Sequence, residues 1–89
     1  MKQLVLHVAY GFNGESIASM TTAQMIRAFH IANEHLPTIT TKSQTAIKQN
    51  MARIADEISD RTDRARGGAK IRLEVQLIVM QTIIKKLYA

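Results

Sequence analysis

The sequence predicts a mainly α fold: one small helical domain over residues 1–89, built on a long antiparallel helical hairpin, with a short N-terminal strand and a dimeric state. Three observations predict it. Two Thr-x-x-Gln patterns, at Thr21–Gln24 and Thr41–Gln44, precede apolar residues at helical spacing. A Gly67-Gly68 pair separates two long amphipathic stretches, which folds them back on each other. Residues 71 to 84 are apolar on two sides, which one short chain cannot cover alone. The chain is 46% hydrophobic, enough for a packed core and too much for a disordered tail.

Residues 3 to 10, Gln-Leu-Val-Leu-His-Val-Ala-Tyr, are β-branched and aromatic enough for a strand or extended arm, ended by the turn-like Gly11-Phe12-Asn13-Gly14. A short helix also fits there. The start superficially looks like a signal peptide, but His7 interrupts its apolar run and no small-x-small cleavage pattern follows, so it is expected to belong to the fold. Thr21-Thr22-Ala23-Gln24 then reads as a capping box. Met25, Ile26, Phe29, Ala32 and Leu36 follow on one face, predicting a helix over 21–35 that Pro37 ends by pushing the residue before it out of the α region.

The second pattern, Thr41-Lys42-Ser43-Gln44, opens the longest predicted helix, near 41 to 66. Its stripe is Ile47, Met51, Ile54, Ile58 and Ala65, and its outer face offers the i,i+4 pairs Arg53–Glu57, Glu57–Arg61 and Asp60–Arg64. Gly67-Gly68 is expected to stop it, with Arg64 and Arg66 suited to the negative helix end. The last element, over 69–88, reads two ways. Residues 70 to 77 alternate strictly, a strand signal, whereas Leu73, Leu77, Met80, Ile84 and Leu87 make a four-three helical stripe. Helix formers and the length of the run favour helix. As a helix it carries a second apolar strip, Ile71, Val75, Ile78 and Val79, the expected interface of a homo-oligomer.

Charge is placed unevenly. The net charge is +5, yet residues 1–36 are neutral, with Lys2 and Arg27 against Glu15 and Glu34. From 61 to 72 there are five cations, Arg61, Arg64, Arg66, Lys70 and Arg72, against one acid, Asp63; Lys85 and Lys86 add a second basic group. A basic corner at a glycine joint suits phosphodiester contacts, which supply affinity without sequence readout. The bland alternative is that these side chains solvate a helix end.

Other chemistry is poorly supplied. Without cysteine there is no disulfide, zinc ribbon or thiol catalysis, and a reducing compartment fits. His30 and Glu34 share a helical face beside His35, but no ligand set backs them, so no metal and no cofactor are expected. Asp56, Glu57, Asp60 and Asp63 are interleaved with arginines and read as surface ion pairs rather than a catalytic cluster. Gly67-Gly68-Ala69-Lys70 lacks the spacing of a phosphate-binding P-loop. The element pattern is neither a helix-turn-helix nor a ribbon-helix-helix.

The expected function is therefore non-catalytic: a cytoplasmic nucleic-acid-binding or regulatory accessory protein that contacts phosphate backbone through Arg61, Arg64, Arg66, Lys70 and Arg72. In size and compactness the chain is similar to small accessory proteins of phages and plasmids. Two alternatives stand beside this reading: a small inhibitor that binds a protein of a nucleic-acid-handling complex, and a structural subunit of a larger assembly. No membrane association is expected, since Arg72, Glu74, Gln76 and Gln81 break the apolar C-terminal stretch.

Overall fold

The structure is a computed structural model that describes residues 17–89; the expected strand at 3–10 lies outside the described residues. Three helices follow in order: α1 (Thr22–His35), α2 (Thr41–Arg64) and α3 (Gly68–Leu87), with a short 3-10 turn, Leu36–Thr38, between the first two. Residues 70–79 are helical throughout, so the helical spacing prevails over the strict alternation.

The start of α1 is the capping box read from the sequence. Thr21 Oγ1 accepts from the Gln24 amide at 3.1 Å, and Gln24 Oε1 accepts from the Thr21 amide at 2.9 Å. The end differs in mechanism from the expectation. Leu36 keeps a helical backbone (φ −50°, ψ −46°) and its N–H donates to Ala32 O, so it is not pushed out of the α region by Pro37. The helix stops because proline has no N–H with which to continue the ladder, and the chain tightens into the 3-10 turn.

The start of α2 is a correction by one residue. Its N-cap is Thr40, in extended conformation (φ −60°, ψ 151°), and not Thr41; no side chain caps the backbone there. Gln44 does not reach back to close a box. Its side-chain Nε2 donates to Leu36 O at 2.8 Å, which also accepts from the Ile39 amide at 3.1 Å, and to Ile39 O at 2.9 Å, and so ties the 3-10 turn to the first turn of α2. The Thr-x-x-Gln pattern was real polar chemistry serving a different pair of acceptors.

The helices close on one core. Met25, Ala28, Phe29, Ala32 and Leu36 meet Ile47, Met51, Ile54, Ala55 and Ile58, with Ile17 from the preceding segment. From α3 only Met80 is fully buried, while Leu73, Leu77, Ile83, Ile84 and Leu87 are half-buried against the cluster. α2 packs chiefly on α3 and next on α1. That α2 and α3 run antiparallel is fixed at both ends: three residues join them at the corner, and Lys48 Nζ near the start of α2 donates to Leu87 O at 3.4 Å.

Candidate nucleic-acid interface

The corner between α2 and α3 is built by three residues. α2 ends at Arg64, earlier than the 66 expected, because Ala65 turns extended (φ −80°, ψ 160°) while its N–H still donates to Thr62 O. Arg66 follows. Gly67 then takes φ +65° and ψ −141°, a conformation that strains any residue with a Cβ. Gly67 is therefore the N-cap of α3 and not the stop signal of α2, which corrects the role expected for the glycine pair. A Cβ placed there would meet nothing within 4 Å, so the glycine is needed for its backbone and not for space. Gly68 is an ordinary helical residue, over which Arg72 Nη2 folds back to 4.0 Å from where a Cβ would stand.

The five corner cations separate into two kinds. Arg61 is engaged within the chain. Its Nη1 donates to Thr22 Oγ1 at 2.9 Å, and its Nη2 donates to Met20 O at 2.7 Å and Ala18 O at 3.1 Å. It ties the segment entering α1 to the end of α2. Arg61 Nε also lies 3.7 Å from Glu57 Oε2, and Arg64 Nη2 lies 3.7 Å from the same oxygen. That oxygen is buried and has no hydrogen bond, so two arginines share its charge at ion-pair range. Arg64 was expected to pair with Asp60. It stands instead above Glu57, because seven residues make almost two full turns.

The other four cations make no hydrogen bond among the described residues. The Arg64 side chain is 71% exposed despite its ion pair. Arg66 and Arg72 are exposed and Lys70 is half-buried, and none of the three has an ion-pair or hydrogen-bond partner among the described residues. Lys70 and Arg72 sit at the start of α3, and the first turn of that helix contains no acid. Helix N-termini carry a partial positive charge that acids complement and cations oppose, each to the extent of about 0.3–1 kcal/mol. Arg61 and Arg64, at the C-terminal end of α2, suit their helix dipole. Lys70 and Arg72 oppose theirs. Complementing a helix dipole accounts for the first pair and not for the second.

The residues expected to form an oligomer interface are exposed. Ile71, Val75, Ile78 and Val79 are 64%, 55%, 64% and 40% exposed. At 100° per residue, Ile71, Val75 and Ile78 fall on the side of α3 opposite Leu73, Leu77 and Met80, which face the core. Sequence reasoning missed what continues this surface. An open apolar groove of about 660 Å³ runs between Thr22, Ala23 and Ile26 of α1 and Ala69, Arg72, Leu73 and Gln76 of α3, sharing Ile71 and Val75 with the strip. Ile26, expected on the core face of α1, packs half-buried against the core cluster and also lines the groove.

No family model, curated protein or solved structure matches the chain.

Among the described residues, no three histidine, cysteine, aspartate or glutamate side chains gather as metal ligands, and no helix is long and apolar enough to cross a membrane. His30 packs edge-on to Phe29, ring centroids 5.5 Å apart, which gives it a packing role in α1.

Proposed function

We propose that this protein is a non-catalytic regulatory or accessory protein that binds the phosphate backbone of nucleic acid through Arg64, Arg66, Lys70 and Arg72, as a homodimer in the cytoplasm. The observation that carries the reading is the placement of Lys70 and Arg72 at the positive end of their own helix, beside Arg66, with no acid in that turn. Cations held there without partners raise the local potential, and a phosphate relieves them while accepting from free backbone donors of the helix start. Arg61 serves this site by holding the α1 entry against α2. The contacts are to phosphate and carry no sequence information.

The homodimer rests on the apolar strip of α3. Fully burying an Ile or Val contributes about 1.5–3 kcal/mol, so side chains about half exposed have about 1 kcal/mol each still to gain. Four such residues in each of two copies give about 8 kcal/mol gross, against an association cost of about 4–15 kcal/mol. The balance is close. Dimerisation then depends on concentration and on whatever neutralises the charge at the corner.

Fluorescence anisotropy with a labelled 20-base-pair duplex and a single strand of equal length tests the reading. Four phosphate contacts predict a loss of affinity of about a hundredfold between 50 and 200 mM salt. No binding to either probe at the lower salt refutes it. The same strip also favours a second reading, a structural subunit of a larger assembly, and regular high-order species in sedimentation velocity without nucleic acid would support that instead. A protein partner retained from lysate after nuclease treatment would point to the inhibitor reading.

A further inference from the structure

The described chain begins at Ile17, which is 2% exposed and belongs to the core. Arg61 fastens the residues that follow, donating to Ala18 O, Met20 O and Thr22 Oγ1. Thr22 is also a wall of the groove between α1 and α3, opposite Ile71, Leu73 and Val75. Residues 1–16 therefore enter the fold at a fixed point, five residues before the groove. We infer that residues 3–10 of this chain occupy the groove, and so compete with a second copy for Ile71 and Val75.

Three observations favour this occupant. The first is composition. Apart from Thr22, Arg72 and Gln76 the groove is lined by apolar side chains, and six of the eight residues 3–10 are apolar: Leu4, Val5, Leu6, Val8, Ala9 and Tyr10. The second is length. The groove follows α3 from Ala69 to Gln76, about 10 Å at 1.5 Å per residue. Eight extended residues reach about 25 Å, and the six between Tyr10 and Ile17 reach about 20 Å more. Those six include the turn-like Gly11-Phe12-Asn13-Gly14, which suits a reversal of the chain toward α3. The third is charge. Residues 1–16 hold Lys2 against Glu15 and bring no net charge beside Lys70 and Arg72, whereas a second copy brings +5.

The tether decides between the two. A second copy must give up translational and rotational freedom to reach the strip. A segment already joined at Ile17 meets only the entropy of loop closure, which grows slowly with loop length. Because Ile71 and Val75 belong to both the groove and the strip, a filled groove withholds them from self-association. The segment is then an autoinhibitory contact, and its release exposes the whole strip.

The parent chain contains no cysteine, so an introduced thiol reports alone. Ala23→Cys and Val75→Cys, one on each wall of the groove, are reacted with a maleimide at concentrations where sedimentation velocity shows monomer. The full chain is compared with the variant Leu4→Ser, Leu6→Ser, Val8→Ser. The serines should accelerate both thiols by about tenfold, as when a millimolar effective concentration exceeds the intrinsic dissociation constant about tenfold. Tyr88→Cys, outside the groove, should react equally in both backgrounds. In sedimentation equilibrium the serine variant should dimerise at least about tenfold more tightly, since each copy no longer has to free its strip first.

Equal rates in the two backgrounds overturn the inference, as does a dimer no tighter in the serine variant. Protection that rises with protein concentration and ignores the serines assigns the groove to a second copy and overturns it too. Spin labels on Leu6→Cys and Lys85→Cys, in the otherwise unaltered monomer, keep the test independent of the serine variant's folding. Ten helical residues separate Val75 from Lys85, so a narrow distance of about 15–30 Å is expected. A broad or longer distribution overturns the proposal. None of these readouts involves nucleic acid, so their failure leaves the phosphate reading standing.

Discussion

Arg61→Met separates the part of the basic cluster that builds the fold from the part that meets a ligand. Methionine keeps the apolar stem and removes the guanidinium, so three hydrogen bonds disappear: to Met20 O at 2.7 Å, Thr22 Oγ1 at 2.9 Å and Ala18 O at 3.1 Å. The first two are part-buried and charge-assisted, a class that contributes about 1.5–3 kcal/mol each, whereas the third is exposed and contributes less. Glu57 Oε2, buried, keeps only Arg64 at 3.7 Å. The side chain is 20% exposed, so solvent discounts the sum only in part. The expected cost is about 2–4 kcal/mol, which at about 4–8 °C per kcal/mol lowers Tm by about 10–30 °C. Thermal melts followed by circular dichroism measure it. Hydrogen exchange should show the loss first at residues 22–25, where the tether ends. A Tm within about 2 °C of the parent, together with collapsed duplex affinity, would refute the division and return Arg61 to the interface.

The remaining predictions concern the corner, the cap and the core. Gly67→Ala should destabilise by about 1–3 kcal/mol because of φ +65°, whereas Gly68→Ala, helical and unobstructed, should be neutral or stabilise by up to about 1 kcal/mol; urea titrations of equal slope that rank them otherwise would contradict the corner's geometry. Thr21→Ala removes half of the capping box and should cost about 1 kcal/mol in the same assay. Met80→Ala empties the one fully buried position of α3 and should cost about 2–5 kcal/mol, detaching α3 in exchange experiments before α1 and α2 open. Ile78→Lys should leave the fold intact, since the side chain is 64% exposed, and abolish dimers in sedimentation equilibrium.

The helical fold class was legible because its signals are local and periodic. The capping box at Thr21–Gln24 satisfies donors three residues apart, and the stripe of Ile47, Met51, Ile54 and Ile58 reports the core face directly. Element ends were less legible, because tertiary acceptors compete with local ones. Gln44 serves Leu36 O and Ile39 O, which no pattern around Thr41 announces. Gly67 was visible as a glycine but not as the residue with positive φ at the start of α3 rather than the end of α2. The basic corner was found by counting charge, and counting cannot separate Arg61 from its neighbours. That separation depends on contacts 39 to 43 residues away in the chain. The groove between α1 and α3 was invisible for the same reason, since Ile26 and Val75 come to line one groove only in three dimensions.

The most direct test of the account is the salt slope of duplex binding, compared between the parent protein and Arg66→Gln, Lys70→Gln, Arg72→Gln. Three lost phosphate contacts should reduce the slope of log affinity against log salt by about 2.7, with Tm unchanged or raised by a few degrees, because these side chains have no partners among the described residues and Lys70 and Arg72 oppose their helix dipole. An unaltered slope in the folded triple variant would contradict it.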